Sequence, residues 1–247
     1  RARDEGDGGT RSEGATFRLS YETATLDQST AKLTVRRTNS AERREIPATA
    51  WAYVNSRAIQ LLPASAKVEI GSIYEFQYQA KDPRVLAIGM AATRDLVSFL
   101  RYEPQDTKGT ANPAGAKITR ALAFGSSQSG RFLRDYVRDG FNQDGRARRV
   151  FDGVMAHTAG VGGVFYNEEF AQPNRTSTQL EDHTFPESAF PFSTARMSDP
   201  VTGKTGALMR NDGFDPLWME TNTSTEYWQK GASLLVTDPL GTRDVEL

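Results

Sequence analysis

The sequence predicts an α/β domain with a mainly parallel central sheet, and three observations point to this fold class. The N-terminal part is rich in short segments with aromatic or branched residues between polar breaks, which is typical of strands. From residue 86 onward, strand-like segments alternate with helical patterns, as they do in βα units. A glycine-rich turn in "AFGSSQSGRFL" (123–133) joins one such strand to the helix that follows it.

The elements before this turn follow from composition and periodicity. Residues 1–16 are charged and glycine-rich, which predicts a disordered lead-in. Short strands are predicted between residues 17 and 80. The segment 86–102 carries an apolar face at helical spacing, and 116–124 predicts a strand. Residues 17–247 are therefore expected to form one domain with a β-rich N-terminal part.

The elements after the turn continue the alternation. Apolar residues recur at helical spacing from Phe132 to Phe141, with Arg134 and Asp135 on the polar side. A strand is predicted over 149–160. Residues from about 162 to 213 have little periodicity but recurrent aromatic residues, which indicates an insertion. The last elements are predicted at the end of the chain: a strand over 217–225 and a helix over 226–237.

Composition excludes several function classes. The 247 residues carry a net charge of -1, which gives no electrostatic footprint for nucleic acid or an anionic membrane. The arginine-rich segment 144–151 is flanked by aspartates and is interpreted as a solvated loop. No stretch approaches the roughly 20 apolar residues of a membrane-spanning helix. The absence of cysteine excludes disulfides, thiolate metal sites and a cysteine nucleophile.

The glycine-rich turn could in principle bind phosphate. Gly125 and Gly130 match the glycine spacing of a G-x-x-x-x-G-K-[ST] loop. That loop requires a lysine for the outer phosphates and a hydroxyl for magnesium, and Arg131 and Phe132 occupy these positions. Because phenylalanine cannot coordinate a metal ion, we do not predict a nucleotide site.

The same turn fits a nucleophile elbow, in which a serine on a strained strand-to-helix turn has small residues two places before and after it. Ser127 meets this condition with Gly125 and Ser129. Ser126 has the bulky residues Phe124 and Gln128 at those flanks, and Ser129 has Arg131 at one of them. Ser127 is therefore the predicted catalytic nucleophile. The backbone N–H of Gln128 is the predicted oxyanion donor.

A longer stretch resembles a known family. The segments "GSSQSGRFLRDYVRDGFNQDGRARRVFDGVMAHTAG", "SIYEFQYQAKDPRVLAIGMAATRDLVSFLR" and "TNTSTEYWQKGASLLVTDPLGTRDV" resemble a bacterial α/β-hydrolase-domain family whose elbow is G-x-S-Q-S-G-R-F-L-R. The resemblance covers roughly residues 17–247. It implies the α/β-hydrolase fold with a cap-like insertion, a serine-esterase-like mechanism, and a periplasmic or secreted location.

The acid of the triad is expected after a late strand, since the order in this fold is Ser, then Asp or Glu, then His. Glu226 occupies that place and is the predicted catalytic acid, although a glutamate in the first turn of a helix is also favoured by the helix dipole. Asp212, Asp215 and Asp238 are the alternatives. The first two lie in "RNDGFDP", a sequence typical of a turn.

The catalytic base is the unexplained part of the pattern. His157 and His183 both precede Glu226, so neither fits the expected order. His157 is interpreted as a hydrogen-bonded residue at a strand end, and His183 as a structural residue of the insertion. The resemblance places a histidine beyond residue 247, and the domain is expected to be incomplete at both ends.

Two functions are compatible with these residues. The first is a serine hydrolase that cleaves a small carboxylic ester or lactone through an acyl-enzyme on Ser127. The second is a catalytically inactive binding module that retains the hydrolase fold. No cofactor or metal is predicted, because Asp199, Asp212 and Asp215 lack the spacing of a calcium loop. The sequence does not indicate an oligomeric state.

Overall fold

The computed structural model describes residues 2–7, 15–38, 40–171 and 188–246. The chain divides into two compact units, where the sequence predicts one domain. The first unit comprises Arg1–Val85 and Glu168–Phe185, and the second comprises Leu86–Asn167 and Pro186–Leu247. The division arises because the β-rich start forms a hydrophobic core of its own. Part of the predicted insertion belongs to each unit, and residues 172–187 lie outside the described part of the chain.

The first unit is built from antiparallel strands. In chain order they are β1 (Ala2–Asp7), β2 (Thr16–Arg18), β3 (Glu22–Thr23), β4 (Lys32–Arg36), β5 (Arg44–Ile46), β6 (Trp51–Asn55), β7 (Ala58–Leu61), β8 (Ile73–Tyr78) and β9 (Ala80–Lys81). They pair in the orders β1-β8-β4-β5, β2-β7-β6 and β3-β9. The core packs Trp51 against Tyr53 and Phe76 in edge-to-face contacts, with Ile59 fully buried.

The disordered lead-in predicted for residues 1–16 is not what the structure shows over its first residues. Ala2–Asp7 forms strand β1, which pairs antiparallel with β8. Pairing at a sheet edge uses only backbone N–H and C=O groups, so a charged and glycine-containing segment can join a sheet that more apolar strands have formed. Amino-acid composition does not predict backbone pairing of this kind.

The second unit contains the predicted alternation of strands and helices. Its elements are α1 (Ile88–Tyr102), β10 (Leu122–Ser126), α2 (Gln128–Arg138), β11 (Gly153–His157), β12 (Met197–Ser198), β13 (Thr205–Gly206), β14 (Leu217–Thr221) and α3 (Ser224–Gln229), followed by a 3-10 helix (Ala232–Leu235). The helix predicted over 86–102 is thus confirmed as α1. Strands β10, β11 and β14 form a parallel sheet in that order.

The register of this sheet places three strand ends side by side. Ser126 is aligned with His157, and His157 with Thr221. Because the strands are parallel, the loops after β10, β11 and β14 leave from the same edge. This carboxyl edge is where open α/β sheets bind their ligands.

The two faces of the parallel sheet differ in burial. Residues of α1 and α2, including Met90, Leu133 and Tyr136, pack with Val154 in the main core of the second unit. On the opposite face, four large apolar side chains are exposed: Leu122, Phe124, Leu217 and Met219. They alternate along β10 and β14 with residues that face the helices, as the two-residue period of a strand requires.

The helix predicted over 226–237 is interrupted. Gly231 adopts a left-handed conformation (φ 65°) between α3 and the 3-10 helix. A β-carbon there would lie 2.9 Å from Val161 Cγ2. Gly231 therefore ends the helical run because its backbone turns close to the loop after β11, a contact that helical periodicity does not reveal.

Two glycines allow helix α2 to start close to the sheet. A β-carbon at Gly125 would overlap the backbone carbonyl oxygen of Ser129, and one at Gly130 would lie 3.1 Å from the carbonyl oxygen of His157. Neither glycine has a positive φ. Glycine is thus favoured at these two positions because backbone atoms of other residues lie close to them, and not because of an unusual φ.

The loop from α2 to β11 is held by one buried carboxylate. Asp144 accepts hydrogen bonds from the backbone N–H of Arg146 (2.9 Å) and of Arg148 (2.8 Å), from the Arg148 Nε, and from the Ser98 hydroxyl. Burial alone would raise the pKa of Asp144. The hydrogen bonds outweigh burial and lower the pKa to about 2.

Replacement of Asp144 by Asn is expected to remove a pH-dependent part of the stability. The pKa of Asp144 is lower in the folded than in the unfolded chain, where it is about 4. Ionised Asp144 therefore contributes about 2 kcal/mol to the free energy of unfolding at pH values above the unfolded-state pKa. This contribution is lost as the pH falls toward 2. Urea denaturation should show the stability gap between wild type and Asp144→Asn narrowing by about 1 kcal/mol between about pH 6 and about pH 3. A gap that does not change with pH would contradict this assignment.

Replacement of Gly125 by Ala is expected to destabilise the second unit by about 1–3 kcal/mol, since the new methyl group overlaps the first turn of α2. Gly89→Ala is the matched control. Gly89 lies in α1, and a β-carbon added there would have no neighbouring atom within 4 Å, so this change should be neutral or stabilise by up to about 1 kcal/mol. Urea denaturation of both variants measures the difference. If Gly125→Ala and Gly89→Ala had equal free energies of unfolding, the turn would be able to relax around the added methyl group, and the steric argument would be wrong.

Candidate active site

Ser127 occupies a strained turn at the carboxyl edge of the sheet. It lies between β10 and α2 with φ 54° and ψ -119°, a conformation that residues other than glycine rarely adopt. Its N–H donates to His157 O (2.8 Å), and its own carbonyl oxygen accepts the N–H of Arg131 (3.1 Å), which starts the helix. The side chain is exposed and does not cap the helix. This strained strand-to-helix turn is the backbone that the nucleophile-elbow hypothesis expects at Ser127, and the catalytic role of Ser127 stays a prediction.

The neighbouring serines occupy ordinary positions. Ser126 is the last residue of strand β10, and Ser129 lies within the first turn of α2. Both are exposed, so accessibility does not separate them from Ser127. What separates them is backbone strain, which among these three serines falls on Ser127.

Gln128 is the first residue of α2. A residue at this position has no carbonyl group one turn earlier in the helix to accept its N–H. The positive end of the helix dipole adds to the field at this N–H. The predicted oxyanion donor thus lies next to Ser127 in a position suited to an anion, and its role stays a prediction.

His157 is hydrogen-bonded at the end of β11. Its Nδ1 lies 2.8 Å from the Thr221 hydroxyl, and its ring stacks on Phe124 with centroids 6.3 Å apart. These contacts agree with its interpretation as a strand-end histidine. His183 lies outside the described residues.

Glu226 is placed in the first turn of α3, just beyond the end of β14. It forms a capping box with Thr223, whose backbone N–H (3.1 Å) and hydroxyl both donate to Glu226 Oε2. The hydroxyl bond is the main reason that the pKa of Glu226 is lowered, and the bond from the Thr223 N–H lowers it further. Glu226 is therefore an ionised carboxylate near the carboxyl edge, and its catalytic role stays a prediction.

The alternative acids are engaged in turns. Asp212 accepts the N–H of Phe214 (3.0 Å), Asp215 accepts that of Asn211 (2.7 Å), and Asp238 accepts that of Thr242 (2.7 Å). The bond of Asp212, to the residue two positions ahead, is of the Asx-turn type, whereas those of Asp215 and Asp238 each span four residues.

Sequence reasoning missed a buried ion pair between α2 and β14. Arg134, expected on the polar side of α2, is buried, and its Nη1 donates to both carboxylate oxygens of Glu220 (2.7 and 2.8 Å). The Trp218 indole N–H also donates to Glu220 (3.2 Å). Burial raises the pKa of Glu220, and the Arg134 charge opposes the rise. Helical spacing alone could not reveal this pair, because its partners are 86 residues apart.

Asp135, also expected on the polar side, is buried as well. Its Oδ2 accepts the N–H groups of Val164 (2.6 Å) and Phe165 (3.0 Å). The first segment of the predicted insertion is thereby fixed to α2. A polar residue with such buried backbone partners is indistinguishable from a solvated one in the sequence.

A cavity of about 570 Å³ lies in the second unit beside β14 and α3. Its lining is mainly apolar and aromatic: Met209, Trp218, Tyr227, Ala232, Leu235 and Val236. Glu220 and Asn222 add polar groups. The volume lies within the range of small-molecule pockets.

The described residues also bear on metal, nucleic-acid and membrane binding. They contain no group of three or more His, Cys, Asp or Glu side chains placed to hold a metal ion. Two arginines of 144–151 make ion pairs within the unit: Arg146 with Glu103, and Arg148 with Glu103 and Asp144. Within the described ranges, no helix has both the length and the apolar character needed to cross a bilayer.

Comparison with known proteins bears on the fold of the whole chain. A search among curated proteins found no significant match. A family model described as "Alpha/beta hydrolase domain" matches residues 28–234, which include β10, the turn at Ser127, β11, β14 and α3. The chain therefore belongs to the alpha/beta hydrolase domain family.

Proposed function

We propose that the protein is a serine hydrolase that cleaves a carboxylic ester or lactone through an acyl-enzyme on Ser127. The observation that carries the proposal is the positive φ of Ser127 in an exposed turn between a parallel strand and a helix. Such strain persists only where the surrounding structure enforces it, and it is concentrated at functional sites. A glycine at this position would avoid the strain, so the presence of a serine favours a use for its hydroxyl.

The proposed reaction begins with attack of Ser127 Oγ on the acyl carbon. The negative charge that develops on the carbonyl oxygen is stabilised by the Gln128 N–H at the positive end of α2. Collapse of the intermediate expels the alcohol and leaves an acyl-enzyme, which water then hydrolyses. A histidine accepts the Ser127 proton and returns it to the alcohol, and Glu226 orients its imidazole and stabilises the charge.

The cavity beside β14 suits an apolar portion of the substrate. Neighbouring strands are about 4.8 Å apart, so the ends of β10 and β14 are separated by about 10 Å. Asn222, which follows β14 and lines the cavity, is thus about that far from the elbow. A ring or a short aliphatic chain attached to the ester can span this distance. The Arg134–Glu220 pair leaves no unpaired charge there, which favours a neutral group.

A second candidate is an inactive binding module with a hydrolase fold. It is favoured by the order of the residues, since both histidines of the sequence precede Glu226. It is also favoured by the contacts of His157, whose Nδ1 is engaged with Thr221. Under this hypothesis, the elbow is retained as architecture and the cavity binds a ligand without cleaving it.

A fluorophosphonate probe separates the two candidates. Intact mass spectrometry of the full-length protein should show one covalent adduct, which is lost in Ser127→Ala. The matched controls Ser126→Ala and Ser129→Ala remove exposed hydroxyls next to Ser127 and should keep the adduct. An adduct that survives in Ser127→Ala would refute the nucleophile assignment. A wild-type protein without any adduct would favour the binding module.

Glu226→Gln tests the predicted acid without removing the helix cap, because glutamine also serves in a capping box. If Glu226 orients the catalytic imidazole, the loss of its charge should slow acylation by about 10²–10⁴-fold. The unfolding free energy should change by less than about 1 kcal/mol. Stopped-flow labelling and urea denaturation measure the two effects. An unchanged labelling rate would assign Glu226 to capping alone.

A further inference from the structure

We propose that Thr158 is a positioning residue for the nucleophile, and that its hydroxyl holds the Ser127 turn in its reactive conformation. This inference rests on the proposed function, since it assumes that Ser127 is the nucleophile. Thr158 is the first residue after β11 and lies at the same carboxyl edge as the turn.

The hydroxyl of Thr158 has three hydrogen-bond partners, one of which is the Ser126 hydroxyl (3.4 Å). Thr158 Oγ1 donates its proton to His157 O (2.8 Å) and accepts the N–H of Ser127 (3.2 Å). The Ser127 N–H is thus shared between two acceptors, Thr158 Oγ1 and His157 O. The backbone of the proposed nucleophile is therefore held by the two residues at the end of the neighbouring strand.

Thr158 itself is strained. Its φ is 52°, a value that is uncommon for any residue with a side chain and a clear outlier for a β-branched one. Its N–H donates to Thr221 O (2.7 Å), which fixes the backbone to the end of β14. Thr158 and Ser127 thus have unusual backbones and share a hydrogen bond, and each limits the relaxation of the other.

The contacts of Thr158 connect the three strand ends. A continuous path of hydrogen bonds runs from Thr221 O through Thr158 to Ser127 N. The next loop residues are fastened similarly, because Gly160 N–H donates to Asn222 Oδ1 (2.9 Å). Thr158 thereby fixes the Ser127 turn relative to the end of β14, from which the chain leads to Glu226. Small displacements of a reacting group cost large factors in rate, so this fixation bears on catalysis.

The role of the hydroxyl can be separated from the role of the side-chain bulk. Thr158→Val keeps the β-branched shape but removes one of the two acceptors of the Ser127 N–H and leaves the other, His157 O. Thr158→Ser keeps the acceptor and removes a methyl group. If the hydroxyl positions the turn, the smaller serine should be the better replacement, whereas a packing role would favour valine.

The test measures the rate at which a fluorophosphonate labels Ser127 in the full-length protein. Thr158→Val is expected to lower this rate at least about tenfold, and Thr158→Ser should stay within about threefold of wild type. With a chromogenic ester, the loss should appear in kcat while KM stays unchanged. Hydrogen exchange of the Ser127 amide should be faster in Thr158→Val and near wild type in Thr158→Ser.

Thr221→Val is the matched control. It removes a threonine hydroxyl at the same sheet edge, and this hydroxyl contacts His157 Nδ1 and not Ser127. Its Ser127 amide should exchange at the wild-type rate, which separates the Thr158 bond from a general effect of hydroxyl loss at this edge.

The outcomes distinguish this inference from the proposed function. If wild type is labelled and Thr158→Val is labelled equally fast, the positioning role is wrong and the nucleophile assignment stands. If Thr158→Ser is as slow as Thr158→Val, the hydroxyl is not the cause and the inference is overturned. If wild type is not labelled at Ser127, the proposed function fails and the catalytic meaning of Thr158 fails with it.

Discussion

The close approach of helix α2 to the parallel sheet is the constraint on which the candidate site depends. It leaves no room for a β-carbon at 125 and little room for one at 130, because backbone atoms of the helix and of β11 lie close to these positions. The approach leaves the chain one residue, Ser127, in which to turn from strand to helix, and that residue takes a positive φ. The buried pair of Arg134 and Glu220 fixes the same helix to β14. Local sterics and a long-range ion pair thus act together to hold one short turn.

The sequence predicts the parts of this arrangement that local rules govern. The glycines around Ser127 indicate a tight strand-to-helix turn, and helical spacing indicates α1 correctly. The parts that depend on distant contacts were not predictable. Burial of Arg134 and Asp135 depends on partners from β14 and from the loop after β11. The strain of Thr158 is likewise invisible, because its identity as a threonine after a strand is ordinary and its backbone is set by Thr221.

Glu226 illustrates how one side chain can satisfy two requirements. The capping box with Thr223 stabilises the start of α3 and holds the carboxylate ionised by hydrogen bonding. A triad acid also has to be ionised and held in place. The local rule for a helix start and the rule for a catalytic acid therefore select the same residue type at this position, which is why composition and spacing cannot distinguish them.

The uncovered face of the parallel sheet has a practical consequence. Leu122, Phe124, Leu217 and Met219 are between 59% and 83% exposed on β10 and β14, the strands on either side of β11, whereas parallel sheets are usually covered on both faces. Dyes that fluoresce on contact with apolar surface would therefore bind this chain while it is folded. In a dye-based melting curve, the fluorescence would already be high before unfolding, so the increase in fluorescence at the unfolding transition would be small. Circular dichroism, which reports the backbone directly, is the better probe of its stability.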